Sequence, residues 1–204
     1  MRSRLHIFTL LAVLAISTGC TVVPSAKVDT TRFFVLSGAE VKETQATSTS
    51  GKKISIRKIE IPAYLQTRSI VVKQNSNEVR IEDMNRWAEP LESAIGRVLK
   101  VGLLQNSHVS SVDFAPLSMD AERDYDVSIT IHKCEGSIES IGKIFAKFSA
   151  SVEISTPSPD SEIVAKYNFV APDSDWDGTN FSKLAEALST DILALGSDIP
   201  NHIP

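Results

Sequence analysis

Asp126–Cys134 reads DVSITIHKC, Phe145–Ile154 reads FAKFSASVEI and Ile163–Val170 reads IVAKYNFV. In the first stretch Val127, Ile129 and Ile131 alternate with Ser128, Thr130 and His132. In the second, Phe148, Ala150, Val152 and Ile154 recur at every other position, and in the third Ala165, Tyr167 and Phe169 do the same. Successive side chains of a strand point to opposite faces, so this period predicts three strands with one buried face and one wet face. Thr156-Pro157-Ser158-Pro159-Asp160 is made of turn formers and joins the second strand to the third. An antiparallel meander is therefore expected. The same alternation places His132 and Cys134 on one face. Two ligands do not make a zinc site, and a hydrogen-bonded surface histidine is the plainer account.

Outward from the meander the period changes. Phe181, Leu184, Leu188, Ile192 and Leu195 form one face of a helix capped by Thr179 or Asn180. Towards the N-terminus, Ile54, Ile56, Ile59 and Ile61 alternate with polar residues, with one slip at Arg57-Lys58 that suits a bulge, and Pro62 ends the strand. Ile70–Lys73 and Glu78–Ile81 flank the polar turn Gln74–Asn77 as a hairpin. Asp83 or Asn85 is then expected to cap a helix running to about Leu104, with Trp87, Leu91, Ile95, Val98 and Leu99 on its apolar stripe. Arg32–Leu36 is a short opening strand, and the polar segment Ala39–Lys52 a loop. Strands, helix, strands, helix predict an α+β two-layer sandwich: one mostly antiparallel or mixed sheet with two helices packed on one face.

The N-terminus sets the compartment. Met1–Arg4 carries two positive charges, Ile7–Ile16 is apolar save one Thr, and Ser17-Thr18-Gly19-Cys20 follows. A basic region, a short apolar region and small residues make a secretory signal peptide, and the apolar run is too short to span a bilayer. Small residues before Cys20 resemble the lipobox of bacterial lipoproteins, although Ser17 stands where Leu is usual. That resemblance implies cleavage between Gly19 and Cys20 and a diacylglyceryl and acyl lipid on Cys20, which is enough for stable anchoring. The organisation expected is a cleaved signal peptide over 1–19, a lipidated tether over 20–30 and a single domain over 31–204. Thr21 follows the cysteine; the absence of Asp there implies export to the outer membrane, facing the periplasm. Residues 1–19 hold two of the 21 Lys and Arg and none of the 25 acids, so the chain beyond them has a formal charge of −6. Such a balance excludes nucleic acid and direct docking on anionic headgroups as first expectations. After lipidation only Cys134 is a free thiol.

Residues 59–91 carry a second resemblance. Ile61-Pro62-Ala63-Tyr64-Leu65, then Arg68, Ile70-Val71 and a hairpin, lead to Arg86-Trp87-Ala88-Glu89-Pro90-Leu91. This looks like the ABC-type transport auxiliary lipoprotein family, also called PqiC-like, whose members carry Pro-x-Tyr-Leu and Arg-Trp-Ala-Glu-Pro-Leu elements. Arg32–Leu36 resembles its aromatic-rich opening strand. Gln66-Thr67-Arg68 stands where the family often has Asp-Arg directly after Tyr-Leu. The resemblance implies an accessory lipoprotein at the outer membrane that binds the tip of an MCE-domain tunnel protein, as a homo-oligomer matching the tunnel's symmetry. Pro62, Tyr64, Leu65, Arg86 and Trp87 are the candidate partner-binding residues. Trp87 and Arg86 suit an interface anchor, or else Trp87 covers the sheet while Arg86 pairs with Glu82 or Glu89. Pro62–Leu65 either meets a partner or caps the core.

Other signals are weaker. Asp173–Gly178 mimics the start of a calcium loop, but Leu184 occupies the place of the bidentate Glu, and acids before a helix are accounted for by capping. No nucleophile–base–orienter set can be drawn, so neither catalysis nor a metal or cofactor is expected beyond the lipid on Cys20. The rival readings are a monomeric periplasmic lipid carrier and an envelope-assembly lipoprotein that regulates a cell-wall or secretion enzyme.

Overall fold

A computed structural model describes residues 29–37, 51–117, 122–139, 142–159 and 161–204. The signal peptide, Gly19, Cys20, most of the tether and residues 38–50 lie outside the described residues. The strands are β1 (Arg32–Phe34), β2 (Lys52–Glu60), β3 (Ser69–Gln74), β4 (Glu78–Trp87), β5 (Val109–Phe114), β6 (Tyr125–Ile138), β7 (Ile144–Ser155), β8 (Ile163–Val170) and β9 (Ser174–Asp175). The helices are α1 (Leu91–Leu104) and α2 (Phe181–Asp198). One mixed sheet runs β1-β4-β3-β6-β2-β5, with β7 also on β6 and with β8 and β9 on β7.

The meander is antiparallel as expected, with Val127 opposite Ile154 and Val152 opposite Tyr167. The remaining architecture follows from the length of β6. Along its edge away from β7, β2 pairs in parallel with Tyr125–Thr130, while β3 pairs in parallel with Gly136–Ile138. The sheet therefore forks, and Ile131–Glu135 has neither strand beside it on that edge. The expected bulge in β2 falls between Ile56 and Lys58.

Both helices cover one face. Leu91, Ile95, Val98 and Leu99 of α1 and Leu184, Leu188, Ile192 and Leu195 of α2 are buried against Val127, Ile129, Phe148 and Val152. Each such side chain stabilises the fold by roughly 1.5–3 kcal/mol relative to exposure. The helices cross at two glycines: a Cβ on Gly102 would lie 2.6 Å from Leu193 O, and one on Gly196 would lie 2.7 Å from Leu99 O. Asn180 caps α2, its Oδ1 accepting from Ser182 N at 3.2 Å and Lys183 N at 3.4 Å. Beyond β1, Leu36 O accepts from Arg97 Nη2 at 2.8 Å and Ser37 N donates to Ser189 Oγ at 2.9 Å, so both helices hold this segment.

Two expectations are corrected, and one element is new. The helix does not begin after Asp83 or Asn85: Asn85–Trp87 continue β4, paired in parallel with Arg32–Phe34 of β1, and Pro90 is the residue before α1. The residue before a proline is pushed out of the helical region, which keeps Glu89 out of a helix. His132 and Cys134 do not share a face, because a register shift between Ile131 and Lys133 leaves His132 exposed and Cys134 buried. Finally, β5 stands in a stretch that the sequence reading left unassigned.

Candidate docking surface

Pro62 ends β2 and opens a 3-10 turn over Ala63–Leu65, closed by Leu65 N donating to Pro62 O at 2.9 Å and Gln66 N to Ala63 O at 3.1 Å. The turn crosses the fork. Leu65 points inwards and is buried, whereas Tyr64 lies over the outer face of β6 and remains 37% exposed. The Tyr64 hydroxyl is 3.5 Å from His132 O and also engages Glu135. Glu135 is 2% exposed, and its Oε2 has no hydrogen-bond partner among the described residues. Burial raises its carboxyl above the ordinary range, opposed by the Tyr64 hydrogen bond and by Lys73, Lys133 and Lys147. These lysines line a polar groove of about 520 Å3 on the helix-free face.

Trp87 closes the same corner from the other side. It is buried, and its backbone N–H donates to Arg68 O at 2.7 Å, which ties the end of β4 to the segment after the turn. Arg86 is exposed and donates from Nε to Asp83 O at 2.8 Å; Glu82 pairs instead with Arg80, and Glu89 with Arg97. The five predicted residues therefore divide. Leu65 and Trp87 are core, Pro62 is half-buried, and Tyr64 and Arg86 present themselves to solvent. A groove of about 330 Å3 joins the two motifs, bounded by Leu65, Arg68, Pro90 and Leu91.

The sequence reading missed a second surface. Phe33, Val35, Val79, Ile81 and Met84 are exposed on and beside β1 and β4. Val79 and Ile81 alternate within β4, whereas Met84 falls outside that period.

The other candidates have local roles. Asp177 Oδ1 accepts from Thr179 N at 2.8 Å and Asn180 N at 2.6 Å, so the calcium-like stretch builds the turn into α2. His132 Nε2 lies 2.6 Å from Ser151 Oγ, but that hydroxyl donates to Asn168 Oδ1 at 2.6 Å on an open sheet face. Burial pushes the Cys134 thiol up, which disfavours the thiolate. Among the described residues no cluster of three or more His, Cys, Asp or Glu side chains could hold a metal, and no helix is long and apolar enough to cross a membrane.

The class defined by these observations is a two-layer α+β protein whose distinctive features are open surface grooves around a forked sheet. The chain belongs to the ABC-type transport auxiliary lipoprotein component family, whose family model matches residues 34–199. The fold is similar to that of protein XCC0632 from Xanthomonas campestris, at a TM-score of 0.64 and 13% identity over 83% of this chain and 92% of that one. An uncharacterized protein of known crystal structure is similar at a TM-score of 0.64 and 15% identity, over 85% and 99% of the respective chains. No curated protein matches this chain in sequence.

Proposed function

We propose that this protein is an outer-membrane-anchored periplasmic lipoprotein that serves as the docking subunit of an MCE-type intermembrane lipid transport system. The observation that carries this reading is the family match, which spans both motifs of the forked corner. Acyl chains on Cys20 hold the chain to the inner leaflet of the outer membrane. A tether of ten residues, Thr21–Thr30, reaches roughly 30–35 Å when extended, which lets the domain search for its partner near the membrane. Tyr64, Arg68 and the groove beside Pro90 then meet the tip of the tunnel protein, with the chain assembled as a homo-oligomer. Leu65 and Trp87 act beneath this surface by fixing its shape, and no cofactor takes part.

A photo-crosslinking residue at Tyr64 tests this surface. It is expected to capture an MCE-domain protein in cells, whereas the same residue at Lys166, on the exposed part of β8, is not. Equal capture at both positions, or none at Tyr64, would reject this corner as the docking site.

A further inference from the structure

Among the described residues, the sheet leaves main chain of β2 uncovered inside a groove. β2 extends to Glu60, but β5 pairs with it only from Lys52 to Ile56. Ala115 N donates to Ile56 O at 3.0 Å, and the β5 ladder ends there. On its other edge β2 remains paired with β6 through Lys58, Ile59 and Glu60. Residues 57–60 therefore form an ordered strand segment with no strand on one side among the described residues.

Two grooves border this segment and a third lies beyond its end. One of about 550 Å3 runs between Arg57, Lys58 and Phe114 and the α1 residues Gly96, Arg97 and Lys100. A second, of about 420 Å3, lies at Ile59, Pro62 and His132. The third is the groove of about 330 Å3 beside Arg68 and Pro90. Glu92, in the first turn of α1, borders all three, which line up as a trough of separate grooves from Phe114 to Arg68.

The lining selects an occupant. Arg57, Lys58, Arg97 and Lys100 line the first groove with one acid, Glu92, although the chain as a whole is acidic; Arg57 also pairs with Asp126, Lys58 with Glu60 and Arg97 with Glu89, and Lys100 is the cation with no ion pair among the described residues. Phe114, which is exposed, supplies apolar surface beside these cations, while Ile56 and Ile59 of the lining are largely buried. Lysine and a bulge on an open edge discourage indiscriminate pairing. They are complementary to a strand that brings carboxylates of its own. A lipid could meet the cations but has no peptide N–H or C=O groups to pair with the edge.

We propose that residues 57–60 of β2 take up an extended segment of a partner protein, alternating acidic and aliphatic residues, as an added strand along this trough. The main-chain edge supplies affinity and the basic, apolar lining supplies selection. This deepens the docking reading and rests on it only for the partner's identity.

The test titrates the full lipidated chain, in detergent micelles, into a fluorescein-labelled peptide of about eight alternating Glu and Val residues, a length typical of strands. Binding is expected to raise the anisotropy and to slow amide exchange at residues 57–60. The K58E/K100E variant is expected to bind at least about tenfold more weakly. A peptide with Lys in place of Glu is expected not to bind. If the double variant melts early, K100E alone carries the comparison. Absence of binding at concentrations up to about 1 mM, indifference to the charge reversals, or unchanged exchange at 57–60 would overturn the proposal. Displacement of the peptide by phosphatidylglycerol vesicles would make the trough a lipid surface and overturn it as well. The probe contains no transport protein, so its failure leaves the docking reading standing. Peptide binding retained without MCE capture would support the edge and refute only the partner.

Discussion

Asp191 sits on the apolar side of α2 with 5% of its surface exposed and its Oδ2 without a hydrogen-bond partner among the described residues. Burial pushes its pKa up to about 6. Its proton is therefore held by the folded state after the unfolded chain has released it, so stability falls as pH rises from about 4 to about 6, and the penalty is complete above that window. Asp191→Asn is expected to raise stability at pH 7.5 by roughly 1–3 kcal/mol and to give no gain at pH 4. Urea unfolding at the two pH values checks this, and an equal effect at both would show that the carboxyl is not the cause. Neither Asp191 nor Glu135 was legible in the sequence. Asp191 interrupts a helical stripe without altering its period, and Glu135 lies on the nominally wet face of β6. Glu135 is buried where the Pro62–Leu65 turn, distant in sequence, brings Tyr64 against it. Asn180 was legible, because a cap acts within two or three residues of itself.

At the scale of elements, local period served well where pairing was local. The β6–β8 meander and the β3–β4 hairpin were readable, since each strand's partner follows after a short turn. The start of α1 was not, because Trp87, Leu91 and Ile95 satisfy a helical spacing although Trp87 closes a strand. What decides the matter is the parallel pairing of Asn85–Trp87 with β1, a contact between segments some fifty residues apart. β5 escaped because only Val109 and Val112 of its six residues are buried, a spacing that no strand template matches. The contact between α1 and α2 gives a direct check of the packing. Gly102→Ala places a methyl group against the Leu193 carbonyl and the Gly196 backbone, which a side chain cannot relieve by rotating. It is expected to cost roughly 1–3 kcal/mol in thermal or urea unfolding, the usual range for overpacking. Gly142, where a Cβ would meet nothing, is the contrasting site for crowding, although its positive φ of 76° strains any other residue.

At the scale of the whole molecule, the two-layer α+β sandwich was legible, since two amphipathic helices and several one-sided strands can bury their apolar faces only against each other. The fork in the sheet was not, because it arises from how two parallel strands divide one long neighbour. Most of the candidate surface owes its form to that fork, and the sequence showed its motifs without showing which of their residues reach solvent. The central claim is that the lipidated chain docks on an MCE-domain protein at the outer membrane. In-cell crosslinking of the tagged native protein, with mass spectrometry of what is captured and Cys20→Ser as the control, tests it most directly. The account predicts an MCE-domain protein together with multiples of the chain itself, in a yield that falls when Cys20 is replaced. Capture of a cell-wall or secretion enzyme in its place, or of lipid in stoichiometric amount without protein, would contradict it.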